Sequence, residues 1–356
     1  MAKDEDKRTI WLIGKSKERR GTYVVSLPAN WAEAAGGEGT EVILRDHLGS
    51  LLITPPIARS EPKKTELAVK EQESSLLKHL LISAYLNNFR IVTLLFEKPR
   101  QDVEGMLIDL RTKLSGFSFE YTTKSTCEVT MSTLIQPVPE ILQKMLGQTQ
   151  MINEINQNTF SNLKSTEALS KRVDDIEINI DQNSFLLKRL LYIAAEQQDM
   201  IERLGIGEIS KIVHWATLNS SLERVGDLQH DIHEELKRLG ESKVPLSTPT
   251  YDFITYHKKA QEMVDDAYFG DLKKITAILD TKTHAKADPK YRGDYIPKAK
   301  AEFIQSHVMK FPVLMCLDVR IWGLTGLATN IAEARLNMIG PQSTEQRPED
   351  FVRNKR

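Results

Sequence analysis

The sequence predicts a multidomain, mainly helical chain that begins with a small strand-rich piece. Two observations lead there. Apolar residues recur at helical spacing from Glu140 to Leu239 and again from Thr250 to Asn337, whereas residues 9 to 54 hold only short apolar runs separated by turn residues. Between them, residues 75 to 135 alternate helical and strand-like stretches, as a small α+β unit would.

In chain order, Ile10 to Ile13, Thr22 to Pro28, Glu41 to Leu44 and Leu51 to Ile53 read as strands, with one helical turn at Ala29 to Ala35 stopped by Gly36-Gly37. A domain over 8–55 built this way buries too little surface to stand alone, so it is expected to form a homodimer. Pro55-Pro56 and the charged run Arg59 to Glu73 read as a linker. The α+β domain, 75–136, is expected as helix 75–86, strand 90–96, helix 101–114 and strands near 117–121 and 128–133. After Pro137 and Pro139, residues 138–240 read as three long helices, broken near Thr159 to Ser165 and at Gly205-Ile206-Gly207. Residues 250–338 form a second helical block, interrupted by the polar loop Thr281 to Gly293 and by Pro312; 339–356 reads as a disordered tail. The blocks look like a degenerate repeat, since Asp231-Ile232-His233-Glu234 and Asn330-Ile331-Ala332-Glu333 close corresponding helices.

Composition narrows the function. The chain has 356 residues and a net charge of −1, which argues against coating nucleic acid with the whole molecule. No apolar run reaches the ~20 residues of a membrane span, and the start lacks a secretory signal. The two cysteines, Cys127 and Cys316, have no metal or redox spacing and are expected as buried thiols in a cytoplasmic protein. There is no GxxxxGK[ST], GxSxG, HExxH or Cys/His dyad, so no enzyme activity is expected.

Leu222-Glu223-Arg224-Val225-Gly226-Asp227 is the most informative stretch. At 100° per residue, Glu223, Asp227, His230 and Glu234 share one helix face, and Val225, Leu228, Ile232 and Leu236 share the opposite one. Gly226 in a helix interior suggests a close approach to the backbone. Such a stripe suits either a metal or plain solvation.

Glu223-Arg224-Val225-Gly226-Asp227 resembles the Glu-Arg-Ile-Gly-Asp type motif of the PhoU phosphate-uptake regulators, whose repeated unit is a three-helix bundle. Residues 9 to 54, through Gly21-Thr22-Tyr23-Val24-Val25-Ser26-Leu27-Pro28-Ala29-Asn30-Trp31 and Gly37-Glu38-Gly39-Thr40-Glu41-Val42, resemble the swapped-hairpin AbrB/SpoVT domain, which binds DNA as a dimer. With the α+β unit containing Ile82-Ser83-Ala84-Tyr85-Leu86-Asn87, the order resembles archaeal PhoU-domain regulators over nearly the whole chain.

The resemblance implies a metal site. PhoU proteins pair the motif with a Glu/Asp-x-x-x-Asp segment on the preceding helix. The candidate for it is Asp175-Ile176-Glu177-Ile178-Asn179, where Asn179 stands for the closing acid. Glu223, Asp227 and Asp175 are thus the candidate ligands for a divalent or ferric ion, with His230 as an added nitrogen. In the second repeat the corresponding carboxylates fall on Trp322 and Gly326, so that site is expected to be lost. Lys15, Lys17, Arg19 and Arg20 are the candidate phosphate contacts to DNA. The function expected is a DNA-binding transcriptional regulator of phosphate-responsive genes. The alternatives are an adaptor that restrains a phosphate transporter through its ATPase without touching DNA, and a metal-responsive or metal-storage protein.

Overall fold

The computed structural model describes residues 9–13, 22–47, 50–54, 63–69, 74–97, 101–163, 166–197, 199–241, 249–287 and 312–339. The chain divides into two compact units, Met1–Pro62 and Lys63–Arg356.

The N-terminal unit holds two separate hairpins. Strand β1, Ile10–Ile13, runs antiparallel to β2, Thr22–Val25, with Trp11 opposite Val24; β3, Ile43–His47, runs antiparallel to β4, Ser50–Thr54. Helix α1, Ala29–Ala34, lies between them, follows Pro28 and stops before Gly36 and Gly37, whose φ angles of 122° and 79° leave the helical region. Ile10 is 65% exposed, Tyr23 73% and Leu51 61%, and none of the buried hydrophobic residues among those described precedes Val69. A lone two-stranded hairpin is marginal in water, and among the described residues these two share no buried core.

The second unit opens with a mixed four-stranded sheet in the order β5-β6-β8-β7. Its elements are β5 (Lys64–Val69), α2 (Ser74–Leu86), β6 (Ile91–Phe96), α3 (Gln101–Lys113), β7 (Phe117–Thr123) and β8 (Thr126–Met131). β5 and β6 are parallel, which requires the crossover supplied by α2; the other pairs are antiparallel. Leu81 and Tyr85 of α2 and Leu107 and Leu110 of α3 pack with Val92, Leu94 and Val129 in one core. β5 corrects the linker expectation for Arg59 to Glu73. Thr65, Leu67 and Val69 point inward in alternation while Lys64, Glu66 and Ala68 point outward, so Lys64 and Glu66, two of the charges that suggested a linker, belong to the outer face of an edge strand; residues 59–62 and 70–73 lie outside the described ones.

The remainder is helical. The first helical unit comprises α4 (Val138–Ser161), α5 (Thr166–Glu196), the short α6 (Asp199–Arg203), a 3-10 turn at Ile209–Lys211 and α7 (Ile212–Glu241). Gly205 and Gly207, with φ of 66° and 84°, make the break between α6 and the turn. The second helical unit comprises α8 (Pro249–Phe269), α9 (Leu272–Ala287) and α10 (Pro312–Ile339). Pro312 thus opens a helix, where its missing N–H costs nothing, and α9 takes in the first seven residues, 281–287, of the segment expected as a loop from Thr281. One continuous apolar core, from Val138 to Ala334, joins both helical units. On α10, Arg320 bonds to Asp231 and to Glu235 of α7, the latter at 3.3 Å.

Cys127 is buried in the sheet, and burial raises its thiol to about 11; Cys316, expected inside, is exposed on α10. Among the described residues no helix is long and apolar enough to cross a membrane. The expected tail falls outside the described residues apart from Ile339.

Candidate functional site

The seam between α5 and α7 brings acids together because of what lies behind them. Val173, Ile176 and Ile180 of α5 are buried, and α7 meets α5 with the face that carries Asn219, Gly226 and His233, which touch Ser184, Ile180 and Ser170, while Leu228 turns to Gly323 of α10. Gly226 makes the approach close: a Cβ built there would lie 2.9 Å from Ile180 Cδ1. Each residue at that contact is followed by an acid, Asp181 after Ile180 and Asp227 after Gly226, and Glu177 sits one turn before Asp181. Glu177, Asp181 and Asp227, all half-buried, each offer a carboxylate oxygen within 4.8 Å of the others.

The electrostatics are those of crowded carboxylates. Burial raises the Glu177 carboxyl, and the Asp181 charge adds to this, partly offset by His230 and Lys113. Burial likewise raises Asp227, offset by the Arg224 hydrogen bond and charge, and Glu223 and Asp181 push the same way as burial. Lys113 Nζ, from the end of α3, lies 3.2 Å from Asp181 Oδ2, and Arg224 Nη1 lies 3.0 Å from Asp227 Oδ2. Three carboxylates against two cations leave an oxygen-rich site with surplus negative charge. That donor set suits a hard divalent or ferric cation.

Of the residues singled out in the sequence, Asp227 belongs to this group and Glu223 and Asp175 do not. Glu223 Oε2 is held at 2.7 Å by both Lys188 Nζ and the Ser184 hydroxyl, one turn along the same seam. Asp175 is exposed, and its backbone carbonyl accepts the Asn179 side-chain amide at 2.6 Å. His230 faces Asp174, with Nε2 3.0 Å from Oδ1. The acidic pair on α5 is therefore two residues later than the one read from the sequence: Glu177-Ile178-Asn179-Ile180-Asp181 has the Glu-x-x-x-Asp form intact. The overlooked signal is the apolar pair Ile176 and Ile180, which place their successors beside the seam and Asp175 away from it.

In the second helical unit Trp322 is 41% exposed and Gly326 faces open space. Among the described residues no further group of acids, histidines or cysteines converges in the manner of Glu177, Asp181 and Asp227. Lys15, Lys17, Arg19 and Arg20 lie outside the described residues.

No family model, curated protein or solved structure matches the chain.

Proposed function

We propose that this protein is a homodimeric, DNA-binding regulator of phosphate-responsive genes, acting in the cytoplasm, whose first helical unit holds a divalent or ferric ion on Glu177, Asp181 and Asp227. The observation that carries the reading is the convergence of those carboxylates across α5 and α7 beside the Glu223-to-Asp227 motif. The intact Glu-x-x-x-Asp pair strengthens the resemblance to PhoU units. Exposed Ile10, Tyr23 and Leu51 on two hairpins that share no buried core among the described residues support a dimer through the N-terminal unit, of the swapped-hairpin kind. In this reading the metal site reports state and the N-terminal unit, through Lys15, Lys17, Arg19 and Arg20, contacts phosphates.

The test is metal content and DNA retention on the same full-length preparation. One site or cluster per chain, abolished in Glu177→Gln/Asp181→Asn/Asp227→Asn, together with salt-sensitive retention on promoter fragments of phosphate-transport genes, is the expected result. Absence of retention at low salt leaves the second reading, an adaptor acting on a phosphate transporter through its ATPase. The exposed Val319 and Trp322 of α10 favour it, because such side chains suit protein contacts.

A further inference from the structure

Where α8, packed on α4 and α10, reaches α7 through side chains, a run of uncharged polar residues lies buried: Asn156, Gln229, His257 and Gln261. Its hydrogen bonds run in one direction. An ionised carboxylate only accepts, so Gln261 Nε2 donates to Asp265 Oδ1 at 3.0 Å. That turns Gln261 Oε1 towards Gln229, whose Nε2 donates to it at 2.8 Å. Gln229 Oε1 then faces Asn156 Nδ2 at 3.0 Å and His257 Nε2 at 2.8 Å. Asn156 Nδ2 also donates to the Gln229 backbone carbonyl at 2.8 Å, so the polarity is fixed from both ends. An oxygen opposite His257 Nε2 requires a proton on that nitrogen. Neutral imidazole then leaves a lone pair on Nδ1, and this buried atom has no hydrogen-bond partner among the described residues.

We infer that His257 is an acid-released latch between the two helical units: as the neutral Nε2–H tautomer it holds α8 against α7, and uptake of a proton at Nδ1 frees α8. Protonation would convert an unpaired acceptor into an unpaired donor and place a charge beside the Phe160 ring, whose centroid is 5.8 Å away. No charged group compensates among the described residues. On α8, Lys258, Lys259 and Glu262 are exposed and Asp265 lies beyond Gln261; on α7, His233 lies beyond Asn156, to which its Nδ1 is hydrogen-bonded. On α10, Arg320 is committed to Asp231 and Glu235 and Arg335 stacks near Tyr268; on α4, Glu154 is exposed. Burial alone drives His257 down from 6.5 to about 3.

The sign follows from linkage. With α8 undocked, the imidazole takes a proton below its ordinary 6.5; docked, it stays neutral until about 3. Docking is therefore at full strength above 6.5 and is lost as the pH falls from 6.5 towards 3, the undocked population rising about tenfold per pH unit.

Amide exchange of the full-length protein, corrected for its intrinsic pH dependence, tests this. Opening of α8 should rise about tenfold per unit from pH 6.5 to 4.5 relative to α5, and His257→Gln, which keeps a donor for Gln229 but cannot titrate, should flatten that rise. Equal slopes in the two proteins overturn the latch. Nitrogen-15 titration of wild-type His257 decides independently of whether the variant folds: neutral Nε2–H down to pH 4.5 supports the latch, and protonation near 6.5 in the docked protein overturns it.

Discussion

Arg189 of α5 lies with its guanidinium carbon 4.5 Å from the centroid of the Tyr85 ring on α2, and its Nη1 donates to the Tyr85 carbonyl at 2.7 Å. The same guanidinium reaches Thr133 Oγ1, Asn88 Oδ1 and the carbonyls of Phe89 and Met131. Burial lowers Arg189 to about 10 and raises the Tyr85 hydroxyl to about 12. These acceptors close the end of α2 and the end of β8, so one side chain ties the sheet to the helical bundle.

Arg189→Met, which keeps the length but removes every donor, should lower stability by about 3 kcal/mol, since several buried acceptors lose a charged partner. Arg189→Lys should recover only part, because one ammonium cannot match a planar fork. Urea unfolding measures both. A loss within about 0.5 kcal/mol, the range of ordinary surface substitutions, would mean that the acceptors find other donors.

Gly226→Ala should cost about 1–3 kcal/mol by overpacking against Ile180. Combining it with Ile180→Val, which removes the Cδ1 atom in the way, should restore part of the stability. Thermal denaturation of the two singles and the double gives the coupling, and strict additivity would show that the two positions do not meet.

Glu177 gives a pH signature. Its folded value is raised, so the fold disfavours its charge. Its contribution to stability grows as pH falls through the raised value towards the ordinary 4.5, and is lost above it. Glu177→Gln should therefore be more stable than wild type at neutral pH without metal, with the difference shrinking at acid pH. If a divalent ion occupies the site, adding it should stabilise the wild type and leave the variant unchanged. A variant less stable than the metal-free wild type at pH 7 would contradict the crowding described for this seam.

Full-length protein should sediment as a dimer, and removal of residues 1–62 should weaken self-association, because the apolar faces of the two hairpins have no buried partner among the described residues. Unchanged sedimentation of the shortened chain would move the dimer interface to the second unit.

On DNA, Arg19→Ala/Arg20→Ala should both weaken retention and flatten its salt dependence, by roughly 0.9 in log-log slope for each phosphate that is no longer neutralised. Weaker binding at an unchanged slope would mean that the arginines act through folding of the unit rather than on phosphates.

Much of this architecture is legible in the residues, and the failures have specific causes. The long helices of the first helical unit, their break at Gly205 and Gly207 and the helical turn ending at Gly36-Gly37 follow from local spacing, whereas the break between α8 and α9 at Gly270 does not stand out from it. The close approach at Gly226 is also legible, because a glycine inside an amphipathic helix has few other uses. β5 is hidden because an edge strand wears charge on its outer face and so resembles a linker. The acidic pair on α5 escapes because helical spacing defines a face only after the buried row is known, and Asp175 and Glu177 compete until Ile176 and Ile180 are seen to be inside. Arg189 carries no local signal at all: its acceptors come from residues about 55 to 105 positions earlier.

Helix α5 carries Asp181 and Arg189 eight residues apart, a rise of about 12 Å along an unbroken helix. The sheet grips the rod at Arg189 and, through Lys63, at Glu196, while Lys113 and the Thr112 carbonyl of α3 grip Asp181 and Gln182. With three anchors on one stiff member, the sheet cannot pivot about a single point. Any tilt of it must drag the carboxylates of α5 past Asp227, so the spacing of those acids is set jointly by two parts of the chain that a boundary drawn at residue 137 would treat as strangers.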